Sequence, residues 1–144
     1  MRQILAVLTI SATIACGSSP TTPTPTTPQV AGNYAGTITL VRPEVNNSLT
    51  CPATTSVTQV GNAVNIAPML LSGVCGNLSI PFGAAMIDST GALTGPNTGI
   101  FNEPTCGSYS YAASGGFFGR ELRLSMSATS ATCLNFNFTA NLTR

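Results

Sequence analysis

Few side chains in this 144-residue chain are suited to chemistry, and their types exclude more than they permit. There is no histidine, so general acid–base catalysis lacks its commonest agent and a serine–histidine–aspartate relay is excluded. The carboxylates are Glu44, Asp88, Glu103 and Glu121. Glu44 follows Pro43 and Glu103 precedes Pro104, which places both in loops. Asp88-Ser89-Thr90-Gly91 reads as a turn in which the Asp side chain caps its own backbone. Glu121 lies between Arg120 and Arg123 and reads as half of a surface ion pair. Nothing here suggests the two carboxylates about 5–10 Å apart that glycoside hydrolysis requires. Gly73-Val74-Cys75-Gly76 and Gly115-Gly116 lack the lysine and the helix of a phosphate loop. They read as turns or bulges. The expectation is a non-enzymatic protein with no catalytic residue and no cofactor.

Five cysteines remain. Cys51, Cys75, Cys106 and Cys133 lie far apart in sequence, and no histidine accompanies them, so a zinc site is not expected. An even set of four in an exported protein predicts two disulfides. Three pairings are possible. Cys51–Cys75 with Cys106–Cys133 is preferred, because each bond then closes a loop of about 25 residues and stabilises by about 3 kcal/mol. Cys16 is the odd one out and needs a different role.

The residues before Cys16 supply one. Met1-Arg2-Gln3 is a short basic start, and Ile4 to Ile14 is an apolar run of about 16 Å as a helix. That is about half a bilayer core, too short to span but suited to the apolar region of a signal peptide. The run ends in Thr13-Ile14-Ala15-Cys16. This resembles the lipobox of bacterial lipoproteins, with Ala15 and Cys16 matching and Thr13 departing from the usual Leu or Val. The resemblance implies cleavage before Cys16 and attachment of diacylglycerol to its sulfur, the nucleophile this step needs. Acylation of the new amine is implied as well, and two or three chains make a lasting anchor. Gly17, rather than Asp, after the cysteine implies the outer membrane of a cell envelope. Gly17 to Pro28 has no apolar side chain and four prolines, so it reads as a disordered, extended linker. The expected organisation is a signal peptide over 1–15, the lipidated cysteine and linker over 16–29, and a folded domain over 30–144.

The domain carries little charge: 6% of the chain is Asp, Glu, Lys or Arg, with a formal balance of +1. Four arginines after the signal peptide cannot displace the counterions that nucleic-acid binding requires, so that partner is excluded. No helical period stands out after residue 30, but alternation does. Tyr34, Ile38 and Leu40 share a face. Gly61-Asn62 between two apolar runs signals a hairpin. Leu78, Ile80 and Phe82 alternate toward Met86. Leu122, Leu124 and Met126 alternate with polar residues. Leu134, Phe136, Phe138, Ala140 and Leu142 form the clearest dry face, opposite Asn135, Asn137, Thr139, Asn141 and Thr143. Strands at this spacing predict an all-β domain, an antiparallel barrel of about eight strands, with a β-sandwich as the alternative. A transmembrane barrel is not expected, because few segments reach ten alternating residues and aromatic girdles are absent.

Gly32-Asn33-Tyr34-Ala35-Gly36 resembles the glycine–aromatic–glycine opening of lipocalin-like barrels. The stretch from Cys133 to Arg144 is similar to the closing strand of small lipocalin-like or avidin-like bacterial lipoproteins. The resemblance implies a barrel whose interior holds a small apolar ligand or lipid. Tyr34, Tyr109, Tyr111, Phe136 and Phe138 are the candidate cavity residues, unless these rings and Leu122 and Leu124 simply fill a narrow barrel. The other expectation is a solid monomer whose loops bind a protein or a glycan. An enclosed apolar pocket of at least about 300 Å³ separates the two.

Overall fold

The computed structural model describes residues 26–95, 97–103 and 105–144. The expected signal peptide, Cys16 and most of the expected linker lie outside the described residues. Eleven antiparallel strand segments follow: β1 (Gly32–Arg42), β2 (Asn47–Val60), β3 (Ala63–Ile66), β4 (Met69–Leu71), β5 (Ser79–Ile80), β6 (Gly83–Ile87), β7 (Leu93–Thr94), β8 (Asn97–Glu103), β9 (Gly107–Phe118), β10 (Glu121–Ser130) and β11 (Phe136–Thr143). Together they make eight staves of a nearly closed up-and-down barrel, because β3 continues into β4, β5 into β6, and β7 into β8. A proline marks each interruption in the sequence: Pro68, Pro81 and Pro96. Proline has no N–H to give to the ladder, and at Pro68 and Pro81 the staves yield, whereas Pro52 stays within β2.

Residues alternate between core and water along the unbroken staves. Ile38 stands opposite Cys51 on β2 and Ala140 on β11, and all three are buried. Leu122, Leu124 and Met126 of β10 face inward while Arg123, Ser125 and Ser127 face out. The exterior is therefore mainly polar, with Leu70, Met86, Ile100 and Phe118 standing exposed on it, and the interior is apolar. Four strands are longer than their sequence suggests, running to 11, 14, 12 and 10 residues in β1, β2, β9 and β10. Pro52 and Gly115-Gly116 are carried inside strands instead of ending them.

Two expected patterns shift. The alternation through Leu78, Ile80 and Phe82 does not run on to Met86, which is 41% exposed, while Ala85 and Ile87 point inward. The switch falls at Pro81–Phe82, and the neighbouring stave switches with it at Ala67–Pro68: Ile66 and Met69 are both buried, opposite Gly83 and Ile80. At the other end of the chain, β11 begins at Phe136, and Leu134 is a loop residue 38% exposed.

The β8–β9 seam is extended at a place without a side chain. Ala92 bridges Gly116, and the Phe117 amide donates to the Gly91 carbonyl at 2.8 Å. A Cβ on Gly116 would lie 2.5 Å from the Gly91 oxygen and 2.7 Å from the Ala92 Cα. The fifth stave meets the sixth along the β8–β9 ladder, and the missing carbon lets that contact extend to Ala92. Gly116→Val is expected to lower stability by about 1–3 kcal/mol, the usual effect of overpacking. Urea unfolding checks this, and a change below about 0.5 kcal/mol would mean the seam closes by other contacts.

Candidate functional site

The two ends of the barrel differ. At one end the chain enters β1 and leaves β11, and the opening is plugged. The Gln59 side-chain oxygen accepts from the Val30 amide at 2.7 Å, and its amide nitrogen donates to the Pro28 carbonyl at 2.9 Å. Arg144 donates to the Gln29 and Ala31 carbonyls at 3.2 and 2.8 Å. Residues 28–31 are thereby strapped across the end. Val30 is fully buried there. Its carbonyl accepts the Tyr34 hydroxyl at 2.7 Å, and the Tyr34 ring meets Phe117 edge-on at 5.9 Å. With Val57, Leu122 and Leu142 these groups leave this half of the barrel solid.

The opposite end is hollow. A cavity of about 730 Å³ opens there, walled mainly by apolar atoms of Leu40, Leu49, Leu78, Phe101, Phe136 and Phe138. It is an open mouth rather than an enclosed pocket, with a volume inside the range of about 300–1,000 Å³ for ligand clefts. Four connections surround it: the β1–β2 turn, the β4–β5 turn, the β8–β9 turn and the β10–β11 loop. Both disulfides lie among them. Cys51–Cys75 ties β2 to the β4–β5 turn, and Cys106–Cys133 ties the β8–β9 turn to the β10–β11 loop. This is the pairing of sequence neighbours preferred above, with separations of 24 and 27 residues. Cys75 and Cys106 themselves line the cavity.

Charged groups of the mouth are engaged in holding it. The Glu103 carboxylate accepts from the Thr105 and Cys106 amides at 2.9 and 2.6 Å, fixing the β8–β9 turn. Glu44 accepts from the Asn135 amide at 3.2 Å, joining the β1–β2 turn to the β10–β11 loop. The Arg42 guanidinium sits 4.8 Å over the Phe136 ring, a cation–π contact. Elsewhere Asp88 caps its own turn, as expected. Hydrogen bonds from Thr90 and the Ala92 amide hold its carboxyl below the ordinary range. Glu121 pairs with Arg123 on the surface.

The five candidate cavity residues separate into two groups. Phe136 and Phe138 are cavity wall. The tyrosines are buried elsewhere, with each hydroxyl donating to a backbone carbonyl. Tyr34 closes the plugged end. Tyr109 donates to the Leu134 carbonyl at 3.2 Å, and its ring stacks on Phe101 at 5.1 Å, so it lies behind the wall. Tyr111 reaches under β8 to the Pro81 and Phe82 carbonyls. The fourth and fifth staves pair only through β6 and β7, and β5 and β8 do not pair. Tyr111 is thus a strut across an unzipped seam. Gly99 accommodates it: a Cβ there would fall within 2.4–2.6 Å of the Tyr111 ring and hydroxyl. Leu40, Leu49, Leu78, Phe101 and Arg42 complete the site, and the sequence does not single them out. Periodicity marks some of them as inward-facing, but nothing local marks which inward residues face a void.

Comparison with protein-family models, with curated proteins and with solved structures finds no match.

Burial pushes the acidity of Tyr34, Tyr109 and Tyr111 weaker, raising each pKa above the ordinary 10.0. The folded state keeps protons that the unfolded chain releases. This contribution to stability is therefore complete below about pH 10 and is lost as pH rises through the raised values. Alkaline titration followed by phenolate absorbance and circular dichroism is expected to show ionisation and unfolding together. Phenolate appearing in a still-folded barrel would contradict the burial of these three hydroxyls.

Proposed function

We propose that this chain is a lipid-anchored protein of the bacterial cell envelope whose barrel takes a small apolar guest into its open mouth, without catalysis. The single observation that carries the binding reading is the apolar cavity of about 730 Å³ at the end away from the linker. A solid barrel that binds only through its loops does not need it. Apolar burial yields about 25 cal/mol per Å², so a guest covering a few hundred Å² of wall gains several kcal/mol. The anchoring half of the proposal rests on the sequence alone: the lipobox resemblance at Cys16, the short apolar run before it, the proline-rich linker after it, and the pairing of the other four cysteines. The plugged end receives the linker, so an anchor at Cys16 leaves the mouth unobstructed.

Two experiments test the two halves. A fluorescent apolar probe such as N-phenyl-1-naphthylamine is expected to bind one site per barrel. Leu78→Trp, which adds bulk at a half-buried cavity wall position, should weaken it at least tenfold while the fold persists. Equal probe binding by both proteins would remove the mouth as the site. Separately, Cys16→Ser is expected to abolish lipid labelling and release the domain into soluble fractions. Retention of that variant in membranes would overturn the anchor.

A further inference from the structure

The rim of the mouth carries four exposed apolar side chains among polar ones. Val45 in the β1–β2 turn is 53% exposed, Leu49 at the start of β2 41%, Val74 in the β4–β5 turn 73%, and Leu134 in the β10–β11 loop 38%. They come from separate connections, and Leu49 and Val74 also line the cavity. At Leu49 and Val74 the apolar cavity wall therefore runs out onto the rim. Such surfaces in water are costly unless something covers them. The neighbouring charges are engaged: Glu44 and Glu103 turn their carboxylates onto backbone amides, and Arg42 lies over Phe136, while Asn77, Asn102 and Thr105 are neutral polar parts of the same mouth.

We infer that the rim docks on a lipid bilayer surface and that the guest is an acyl chain passed between that surface and the cavity. This deepens the proposed apolar-guest reading and rests on it. A bilayer fits better than a protein partner for two reasons. The rim is a ring around a hole, so an occupant that covers it must also offer something apolar to the opening. A guest that moves through docked apolar surfaces also never crosses water, the step that costs about 0.8 kcal/mol for each CH₂. The chain outside the barrel permits the geometry. β1 has 11 residues, which at about 3.3 Å per residue and about 40° of tilt gives a barrel height of about 28 Å. Gly17 to Pro28 can extend to about 37 Å. A domain held at Cys16 can therefore turn its mouth onto the membrane that holds it.

The test uses the chain from Gly17 to Arg144, which lacks the anchor but contains every strand, both disulfides and the strap over the plugged end. Cosedimentation with neutral phosphatidylcholine vesicles is the readout. We expect binding, reduced at least tenfold in the double variant Val45→Asp with Val74→Asp and reduced in Leu134→Asp. Val60→Asp is the control: Val60 is 84% exposed at the β2–β3 turn, the far end of the barrel. It should bind as the unaltered chain does. Circular dichroism and the absence of free thiols verify that each variant is folded. Absence of vesicle binding, or equal losses at Val60 and at the rim, would overturn the docking. Vesicle failure with intact probe binding would remove this inference and leave the apolar-guest reading in place; failure of both would remove both.

Discussion

The barrel depends on how it meets itself. A β-sheet with free edges exposes unpaired N–H and C=O groups, and proteins commonly guard such edges with charge. This chain has no lysine and only 6% charged residues, so closure is the available remedy. It is achieved at one end and not at the other. Gly91–Ala92 meets Gly116–Phe117 backbone to backbone, and near that level the ring is complete. Toward the mouth, β5 and β8 separate, and the Tyr111 hydroxyl takes over from the absent ladder. A closed, solid half and an open, hollow half follow from that one asymmetry.

The mouth needs reinforcement because one of its seams, β5 against β8, lacks ladder bonds, and the reinforcement is covalent and electrostatic. Both disulfides sit there, each closing a loop whose restriction in the unfolded chain stabilises by about 3 kcal/mol in the chain-entropy view. Two of the four carboxylates cap backbone amides of the same connections. Four separate segments are thereby held around a void that none of the described side chains fills. The plugged end needs no covalent help: Gln59 and Arg144 supply hydrogen bonds to the strap, and Tyr34, Phe117 and Val30 supply contact.

Much of this architecture is legible in the sequence because it is periodic. The dry faces of β10 and β11 read directly from Leu122, Leu124, Met126 and from Phe136, Phe138, Ala140, Leu142. The Gly61-Asn62 turn and the pairing of cysteine neighbours are local features and read as easily. Met86 does not, because a paired break at Pro68 and Pro81 reverses two staves together, and single-strand alternation carries no information about its neighbour. The tyrosines mislead for a related reason. Tyr34, Tyr109 and Tyr111 have the composition of a ligand pocket, yet each hydroxyl is committed to a carbonyl 4 to 30 residues away. The cavity itself is a property of where four connections converge, so Leu40, Leu78 and Phe101 look like ordinary core residues until the ring is assembled.

Solid half against hollow half is the claim on which the rest stands. Methyl-resolved NMR during titration with N-phenyl-1-naphthylamine tests it most directly. The shifts are predicted to concentrate at Leu40, Leu49, Leu78 and Val74, while Val30, Val57, Leu122 and Leu142 stay unmoved. Shifts of equal size at both ends, or none at the mouth with saturating probe, would contradict the account.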